Sequence, residues 1–392
     1  MTKNDDKRVP VLRFKGFNDD WAQRELRELA NIGDGLHGTP TYIDNSKYFF
    51  INGNNLVNDK IRITSETKKI SFSQLSKSDK ALNNLTLLMS INGTIGQLAF
   101  YNGENIKLGK SIAYIIFHSK NNFEFFYGVL KTPNIQRYFQ RHVTGTTIKN
   151  LGLAELRNFK YPIPSEKEQE KIGKTIILIN KIIVLQQRKA KQLKLLKKAM
   201  LQMLYTKEYI PSLRFMEFST KWNLVKLGDV TYRYDNLRQP VIASQRTHGK
   251  IPYYGANGIQ DHVDGYTHKG KFLLIAEDGA NDIHNYPVKY VDGKIWVNNH
   301  AHVIQSMPDK VDDIFLLNAI KIINMQPYLV GGSRAKLNAD VMNKIPIKLP
   351  TLQEQKDIGS LAYHLDKLIK LCLSKNSQLQ SAKQFLLQNM FI

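Results

Sequence analysis

The chain has 392 residues, of which 42% are hydrophobic and 23% are charged, and these fractions exclude an intrinsically disordered protein. Lysine and arginine number 56 against 34 aspartates and glutamates, so the net charge of +22 makes a polyanion the first partner to consider. A merely basic solvated surface is the alternative. The single cysteine, Cys372, excludes an internal disulfide and a cysteine-based zinc site.

The N-terminal residues MTKNDDKRVPVLRFKGF lack the apolar run of a signal peptide, and no stretch of about 18 apolar residues would span a bilayer. A single cysteine also fits a reducing compartment. We therefore expect a folded protein in the cytoplasm, with no membrane partner. At ~100–200 residues per domain, the length predicts two or three domains.

Two blocks of the sequence recur. The leader VPVLRFKGFNDDW (Val9–Trp21) returns as IPSLRFMEFSTKW (Ile210–Trp222), a shift of 210 − 9 = 201. The segment Gly145–Thr206 aligns without a gap on Gly331–Ile392, a shift of 331 − 145 = 186. Two ungapped blocks in the same order predict an internal duplication.

The two shifts also predict how the ends of the chain are arranged. Ile392 corresponds to Thr206 through the shift of 186, since 392 − 186 = 206, and Thr206 corresponds to Asp5 through the shift of 201, since 206 − 201 = 5. The second half thus ends where the first half begins, so we expect the two termini to lie close together.

Between the repeated blocks lie two segments, roughly residues 22–143 and 223–330, that are typical of mixed α and β structure. Apolar runs alternate with Asn-Gly or Asp-Gly pairs, which predict hairpin turns. These pairs are Asn52–Gly53, Asn92–Gly93, Asn102–Gly103, Asn257–Gly258, Asp278–Gly279 and Asp292–Gly293. Each segment closes with a helical stretch, NNFEFFYGVL or VDDIFLLNAIKII, followed by a glycine turn, TGTTIKN or GGSRAKL.

Each half then contains a long helical pattern that begins with a proline phrase, PIPSEKEQEKIG in the first half and KLPTLQEQKDIG in the second. Ser165 and Thr351 are the predicted N-caps, with Glu168 and Glu354 completing capping boxes. Apolar residues then alternate four and three apart, which predicts a heptad seam. The residues predicted to pair the helices are Ile172, Ile176, Ile179, Ile183, Leu193, Met200, Ile358, Leu365, Ile369, Leu379 and Leu386.

Polar residues interrupt each seam at matched positions, Gln186 with Asn376 nearby, and Lys197 with Lys383. Such residues fix register and pairing at some cost in stability. Connectivity requires the two helices to run antiparallel if each globular part stays at the start of its own helix. The alternative is two independent amphipathic helices, each packed on its own domain.

We therefore predict an α+β protein with a pseudo-two-fold internal repeat, in which two mixed α/β domains are separated by two long antiparallel helices in a coiled coil. The predicted globular domains are residues 1–164 and 207–350. The predicted spacer helices are residues 165–206 and 351–392.

Catalytic signatures are weak in this sequence. The stretch GENIKLGKS has five residues between its outer glycines where a phosphate-binding loop needs four. His300 and His302 would share one face of a strand, but without a third ligand in motif spacing they favour structural histidines over a metal site. Asp292–Gly293–Lys294 resembles the end of a nuclease motif, but the Asp-Gly pair favours a turn. We expect no catalytic residue, metal or cofactor in this chain.

The paired helix-starting phrases and the duplicated LRF…F…W leaders, together with INGTIGQLAFYN and IPYYGANGI, resemble the DNA-specificity subunit of type I restriction-modification enzymes. The resemblance covers nearly the whole chain. It implies two target-recognition domains, each reading one half of a bipartite, asymmetric sequence in double-stranded DNA, with the helices setting the gap. It also implies two modification (methyltransferase) subunits and ATP-dependent restriction subunits as partners, which would hold S-adenosylmethionine, ATP and Mg.

Residues that suit contacts with DNA phosphates lie in the glycine turns after the closing helices, although an ordinary loop is an equal alternative. These candidates are Thr146, Thr147, Lys149, Asn150, Ser333, Arg334 and Lys336. Candidates for reading base edges are Arg238, Gln239, Asn52, Asn54 and Asn55. Two other functions stay open: a non-specific nucleic-acid-binding coiled-coil scaffold, which would bind all duplexes equally, and an enzyme with unrecognised catalytic residues.

Overall fold

The computed structural model describes residues 9–147, 149–205, 209–331 and 335–392. Two compact units make up this part of the chain. Unit 1 comprises the residues up to 186 together with 375–392, and unit 2 comprises residues 187–374. Each unit therefore contains one globular part and portions of two long helices.

Unit 1 contains a four-stranded antiparallel sheet of order β2-β10-β7-β8 and a three-stranded sheet of order β6-β3-β9, in which β3 and β9 are parallel. Two further pairs are β1 with β11 and β4 with β5. The strands are β1 (Ala22–Glu25), β2 (Ala30–Asp34), β3 (Tyr48–Ile51), β4 (Leu56–Val57), β5 (Lys60–Ile61), β6 (Lys69–Ile70), β7 (Thr86–Ser90), β8 (Leu98–Phe100), β9 (Ile106–Leu108), β10 (Ile112–Phe117) and β11 (Lys160–Ile163).

The helices of unit 1 are α1 (Leu26–Leu29), α2 (Lys77–Ala81), α3 (Lys120–Lys131), α4 (Pro133–Arg141), α5 (Leu153–Arg157) and the first part of α6 (Glu166–Leu204). The predicted closing helix NNFEFFYGVL is confirmed as part of α3. Phe125, Phe126 and Tyr127 of α3 are buried, and Phe125 meets Trp21 of the leader edge to face, with ring centroids 5.6 Å apart. The leader is thus anchored to the core of unit 1.

Unit 2 contains a six-stranded sheet of order β13-β18-β16-β17-β14-β15 and the strand pairs β12-β21 and β19-β20. The strands are β12 (Asn223–Lys226), β13 (Thr231–Arg233), β14 (His248–Gly255), β15 (Gly258–Val263), β16 (His268–Ala276), β17 (Val288–Val297), β18 (Ala301–Ser306), β19 (Leu329–Val330), β20 (Lys336–Leu337) and β21 (Pro346–Leu349). The helices are α7 (Asp313–Ile322), α8 (Ala339–Asn343) and α9 (Leu352–Asn389), whose last part belongs to unit 1. Helix α7 confirms the second predicted closing helix.

The predicted hairpin turns have mixed outcomes. Asn257–Gly258 joins β14 to β15, as predicted. Asn52–Gly53 begins a one-turn 3-10 helix, so that hairpin prediction is wrong. Asp292–Gly293 lies inside β17, where Gly293 (φ 113°) pairs with Gly270 (φ 140°) of β16. Two glycines facing each other at positive φ allow the strands to bend without ending, so the predicted turn is wrong.

The long helices α6 and α9 bury the residues that the heptad spacing selects. Among the residues predicted to pair the helices, the buried ones are Ile172, Ile176, Ile183, Ile358, Leu365 and Ile369. The half-buried ones are Ile179, Leu193, Met200, Leu379 and Leu386. Leucines at other positions, such as Leu185 and Leu371, are more than 60% exposed. One stripe of each helix is therefore covered, as a heptad seam requires.

Within unit 1, the start of α6 packs against the end of α9. Ile172 shares the main core with Met390, and Lys383 Nζ donates a hydrogen bond of 2.8 Å to Asn180 Oδ1. A higher residue number on α6 thus meets a lower number on α9. The two helical segments of this unit run antiparallel, as predicted.

Within unit 2, the end of α6 packs against the start of α9 in the same sense. Leu204 shares a core with Ile358, and Lys197 Nζ donates to Asp366 Oδ2 at 2.6 Å. The lysines of the two units are related by 383 − 197 = 186, and their partners by 366 − 180 = 186. The polar positions of the seams therefore form matched contacts in each unit, with an amide in unit 1 and a carboxylate in unit 2.

Asp59 attaches the globular part of unit 1 to α6. Its carboxylate accepts hydrogen bonds from Tyr127 Oη at 2.9 Å and from Asn180 Nδ2 at 3.3 Å, and it forms an ion pair with Lys131. Asp59 has φ of 61°, a strained conformation for a residue other than glycine. Burial lowers the pKa of Lys383, and the nearby charge of Asp59 partly offsets that shift. One carboxylate thus balances two lysines where the globular part meets the helix.

The repeated phrase at the start of each long helix binds the leader segment through a buried ion pair. In unit 1, Arg13 donates to both carboxylate oxygens of Glu168, at 2.7 and 2.8 Å. In unit 2, Arg214 donates to both oxygens of Glu354, at 2.8 and 2.7 Å. Both glutamate side chains are 0% exposed. The predicted capping boxes are therefore wrong, because each glutamate binds an arginine of the leader.

The glutamine after each glutamate closes the turn between the proline phrase and the helix. Gln169 Nε2 donates to the carbonyl oxygen of Pro164 at 2.9 Å, and Gln355 Nε2 donates to that of Pro350 at 3.0 Å. Thr351 Oγ1 accepts a hydrogen bond from the Glu354 N–H at 3.4 Å, so its predicted N-cap role is confirmed. The proline phrase is thus fixed to the first turn of each helix by its own side chains.

The glycine of each phrase allows the helix to approach the globular part closely. A β-carbon on Gly173 would lie 2.7 Å from Cβ of Glu124 and within 2.9 Å of the α3 backbone. A β-carbon on Gly359 would lie 2.5 Å from Oδ1 of Asp312. No other residue type fits at Gly173 without moving the backbone of α3.

The two ends of the described chain lie together in unit 1, as predicted. The Leu12 N–H donates to the carbonyl oxygen of Asn389 at 2.7 Å, and the Ile392 N–H donates to Tyr161 Oη at 3.0 Å. Asp5, through which the prediction was made, lies outside the described residues. The final residues therefore complete the unit that the leader begins.

Replacing Arg13 or Arg214 by alanine removes one partner of a buried ion pair and leaves an uncompensated carboxylate. We expect each substitution to lower the free energy of unfolding by about 3–5 kcal/mol. Urea denaturation followed by far-UV circular dichroism measures this loss. Arg24→Ala, which removes an exposed pair with Glu28, is the matched control and costs about 0–1 kcal/mol. A loss below 1 kcal/mol from both buried arginines would contradict this role.

Candidate nucleic-acid interface

In unit 1, the glycine turn TGTTIKN, whose residues are predicted to contact DNA phosphates, is held against the turn that follows β7. The Gly93 N–H donates to the carbonyl oxygen of Lys149 at 2.9 Å, and Thr144 and Asn150 exchange two backbone hydrogen bonds of 2.8 Å. Gly93 has φ of 74° and Gly145 has φ of 89°, so both tight turns require glycine. The loop therefore has a fixed base.

The side chains of this loop point to solvent. Thr146, Thr147 and Lys149 are exposed, and Asn150 is half-buried. Ile148 lies outside the described residues. A loop with a fixed base that presents hydroxyl and ammonium groups suits contacts with phosphate oxygens.

The predicted base-reading asparagines of unit 1 lie against the same turn. A β-carbon on Gly53 would lie 3.7 Å from the carbonyl oxygen of Asn92, and Ser111 Oγ donates to Asn52 Oδ1 at 3.3 Å. Asn52 and Asn55 serve the local fold, because the Asn52 N–H donates to Asn55 Oδ1 at 2.9 Å. Asn54 has an exposed side chain. The structure thus brings together two candidate groups that lie about ninety residues apart in the sequence.

A cleft of about 410 Å³ opens beside Asn150 of the glycine turn and Asn92 of the turn that follows β7. It is lined by Asp34, His37, Asn92, Lys110 and Asn150, above the apolar residues Ile91, Leu151 and Leu153. Nε2 of His37 lies 2.6 Å from Oδ2 of Asp34, and the His37 side chain is 72% exposed. The sequence analysis missed Asp34, His37 and Lys110, since no spacing connects the end of β2 with the loop before β10, which only the sheet brings together.

Unit 2 repeats the backbone arrangement of the glycine turn and the turn beside it. Asp278 forms an isolated β-bridge with Lys336, and Asn92 forms one with Asn150 in unit 1. Both partners are related by the same shift, since 278 − 92 = 186 and 336 − 150 = 186. Gly279 and Gly331, with φ of 69° and 88°, occupy the positions of Gly93 and Gly145. The two globular parts therefore share one loop framework.

In unit 2, the candidate residues Arg238 and Lys336 converge on one carboxylate. Arg238 Nη1 lies 2.5 Å from Glu277 Oε2, and Lys336 Nζ lies 3.1 Å from Glu277 Oε1. Arg238 also donates to the carbonyl oxygens of Asp235, at 3.1 Å, and of Ala301, at 3.0 Å. With a side chain only 15% exposed, Arg238 is positioned to hold the loops together more than to reach a base edge.

The remaining candidates of unit 2 divide into two groups. Gln239 has an exposed side chain, while its backbone is fixed, because its carbonyl oxygen accepts a hydrogen bond of 2.7 Å from Trp296 Nε1. Ser333 and Arg334 lie outside the described residues.

The two histidines of NNHAHVI have structural partners. His302 is 1% exposed, with Nδ1 2.7 Å from Asp235 Oδ2 and Nε2 2.8 Å from the carbonyl oxygen of Leu337. His300 pairs with Asp278 through Nδ1. Across the described residues, no group of three or more His, Cys, Asp or Glu side chains could hold a metal ion.

The comparison with known families decides the identity of this framework. The model of the type I restriction modification DNA specificity domain matches twice, at residues 18–195 and at residues 219–381. The chain belongs to this family. The two matches coincide with the two halves of the duplication, and each includes one of the matched loop frameworks.

Individual relatives agree with this assignment. The chain is 44% identical to a type I restriction enzyme specificity subunit of Haemophilus influenzae over 145 residues, which cover 37% of each protein. It is 25% identical to the MjaX specificity subunit of Methanocaldococcus jannaschii over 397 aligned positions, covering 93% of this chain and 91% of the relative. The first alignment thus spans little more than a third of each protein, whereas the second spans nearly all of both.

A solved structure has the same fold. The S subunit of a type I restriction-modification system from M. genitalium aligns with a TM-score of 0.70 at 17% identity, covering 98% of this chain and 99% of that one. At this level of identity the likeness concerns the fold alone. In the part of the chain that the structure describes, no helix is long and apolar enough to cross a membrane.

The carboxylates of the unit 2 specificity domain are held in their charged forms. Burial alone would raise the pKa of Asp235, but hydrogen bonds from His302 and from the Val303 N–H outweigh it, so the pKa is lowered. Burial would also raise the pKa of Glu277, and hydrogen bonds from Arg238 and Lys336 lower it. The loop framework of unit 2 is therefore held together by charges that persist well below neutral pH.

His268, beside this cluster, makes the stability of unit 2 depend on pH. Burial lowers the pKa of His268, so the folded state binds its proton less readily than the unfolded state. Its contribution is complete above the unfolded pKa of about 6.5 and is lost as the pH falls toward the folded value. We expect the urea midpoint of unit 2 to fall between pH 7.5 and 5.5, and to fall less in His268→Gln.

Tryptophan fluorescence in a Trp21→Phe background measures this midpoint, because the two remaining tryptophans lie in unit 2. His262→Gln, which changes an exposed histidine of β15, is the control and should retain the wild-type pH dependence. An identical decline in His268→Gln and in the wild type would show that His268 does not contribute.

Proposed function

We propose that the chain is the non-catalytic DNA-reading subunit of a type I restriction-modification complex, and that each unit binds one half of a bipartite, asymmetric target in double-stranded DNA. The observation that carries the proposal is the repeated loop framework. Each unit places a glycine turn beside a second loop, and in unit 1 the glycine turn presents Thr146, Thr147 and Lys149 to solvent. The net charge of +22 favours a polyanion as the partner of the chain.

Sequence-specific reading is favoured over a non-specific scaffold because the matched positions differ in chemistry. Asn92 corresponds to Asp278, and Asn150 corresponds to Lys336. Phosphate contacts need only cations and donors, whereas base edges are distinguished by the pattern of donors and acceptors. A shared framework with different side chains suits two readers of two different half-sites.

We further propose that α6 and α9 set the gap between the half-sites and that the chain works in the cytoplasm with two modification subunits and with restriction subunits. S-adenosylmethionine, ATP and Mg would be bound by those partners. Support comes from the heptad seams. A solved structure that concerns the complex assembly of a type I restriction-modification system also has a similar fold, with a TM-score of 0.53. A gap-setting role also accounts for the matched lysine contacts, Lys197 with Asp366 and Lys383 with Asn180.

Co-expression with the cognate modification subunit in a host without adenine methylation tests the proposal. We expect methylated adenines in a single two-part motif with a constant gap, detected by single-molecule sequencing of the host genome. Scattered methylation would favour the scaffold function. Methylation or cleavage by the isolated chain, given S-adenosylmethionine, ATP and Mg, would favour an enzyme.

Paired insertions test the role of the helices. Seven residues added to α6 after Gln186 and seven added to α9 after Ser374 keep both heptad patterns and lengthen each helix by about 10 Å. At about 3.4 Å per base pair, the gap should grow by roughly three base pairs while both half-sites stay unchanged. Inserting seven glycines at the same two positions is the control, and it should make the gap between the half-sites variable. An unchanged gap with helical insertions would exclude this role.

A further inference from the structure

The two units place different chemistry at the same positions of the loop framework. Asp34 and His37 of unit 1 correspond to Asp235 and Arg238 of unit 2, since 235 − 34 = 201 and 238 − 37 = 201. In both units the acidic residue ends or follows the strand at one edge of the sheet, β2 or β13, and the basic residue lies three positions later. The correspondence therefore rests on fold position as well as on the alignment.

In unit 2 this position is filled by an internal ion network. Glu277 neutralises both Arg238 and Lys336, and the Arg238 side chain is only 15% exposed. The corresponding residue of unit 1 is Ile91, since 277 − 91 = 186, and it is buried beneath the cleft. Unit 1 thus has an apolar floor where unit 2 has the carboxylate that binds its cations.

The consequence is an open polar cleft in unit 1. Its volume of about 410 Å³ lies within the ordinary range for sites that bind small ligands, so it can contact one nucleotide step of a duplex but not several base pairs at once. Lys110, which is exposed, supplies a cation at the rim. His37, Asn92 and Asn150 supply donors and acceptors, and Asp34 orients the His37 ring through the 2.6 Å contact.

The rim has a rigid backbone, as a reading site requires. The Lys110 N–H donates to the carbonyl oxygen of Leu36 at 2.9 Å, and the Gly93 N–H donates to that of Lys149 at 2.9 Å. Four segments that are distant in the sequence are therefore tied in two pairs by backbone hydrogen bonds. Pre-positioned groups bind with a smaller loss of conformational entropy than groups on free loops.

We propose that this cleft is where unit 1 holds and reads its half-site, with Lys110 contacting a phosphodiester and His37 and Asn92 contacting a base edge. The proposal rests on the proposed function and assigns the residues that determine one half of the specificity. The ligand is one nucleotide step of duplex DNA, with its phosphate at the cation and its base edge at the imidazole and amide. In unit 2 the same position is structural.

The test uses the complex with the modification subunit and duplexes that carry the mapped target. Lys110→Ala should weaken binding to all sequences alike and reduce the slope of log K against log salt by about one. The matched control is Lys120→Ala, because Lys110 and Lys120 flank opposite ends of β10 and both substitutions remove one charge. Lys120→Ala should leave the slope unchanged.

His37→Ala and Asn92→Ala should act on sequence and not on salt. Each should weaken binding to the target by roughly 5- to 150-fold and relax the motif at a position of the unit 1 half-site. Methylation mapping reads this change directly. The unit 2 half-site must stay intact in the same maps, and it is the internal control for a folded, assembled complex.

Three outcomes overturn the assignment. One is an unchanged motif in both the His37 and the Asn92 variants, and another is a Lys110 variant whose salt dependence matches that of Lys120→Ala. The third is relaxed recognition of both half-sites together, which would indicate a structural role for the substituted residue. The milder substitutions His37→Gln and Asn92→Asp then show whether recognition of one half-site is restored. A wild-type complex without a two-part motif would instead refute the proposed function itself.

Discussion

The structure depends on a buried arginine-glutamate pair that occurs once in each unit. Arg13 with Glu168, and Arg214 with Glu354, join the leader segment to the first turn of a long helix. A charge without its partner would be costly in this environment, so each leader can dock in only one position. The glycine of the same phrase then lets the helix approach the globular part at backbone distance. These two constraints explain why one phrase is needed twice.

From this fixed start, each long helix leaves its globular part in a defined direction, and the polar residues of the seam refine the contact. In unit 1 a loop carboxylate, Asp59, pairs with Lys131 of α3, and its charge also acts on the half-buried amine of Lys383. In unit 2 a helix carboxylate, Asp366, pairs with Lys197, and Lys321 of α7 lies near both. The duplication therefore kept the arrangement of two lysines and one carboxylate while the element that supplies the carboxylate changed.

The elements that depend on local sequence could be predicted. The sequence predicts a spacer helix over residues 165–206, and α6 is observed over Glu166–Leu204, because the heptad spacing indicates both the buried face of a helix and its length. Predictions that a distant partner overrides were wrong. Glu168 has the local signature of a capping box, but it binds an arginine 155 residues away. Asp292–Gly293 has the signature of a turn, but a facing glycine lets the strand continue.

The candidate interface shows the same division. The glycine turns and their Thr, Lys and Asn residues were found from composition and from the repeat. The cleft was not, because Asp34, His37 and Lys110 meet only after β2, β7 and β10 have paired. The repeat itself could have pointed to them, since a residue and its counterpart in the other half occupy one position of the framework. Comparing the two halves position by position finds functional residues that motif spacing cannot.

The docking of the C-terminus into unit 1 has a consequence for synthesis on the ribosome. Phe391 is buried in the core of unit 1 beside Phe125, and the Leu12 N–H is bound by Asn389. The half of the protein that emerges first therefore cannot complete its core until residues 375–392 have been synthesised, whereas the residues of unit 2 are all available earlier. The nascent chain must keep an unfinished apolar surface out of non-native associations throughout that interval.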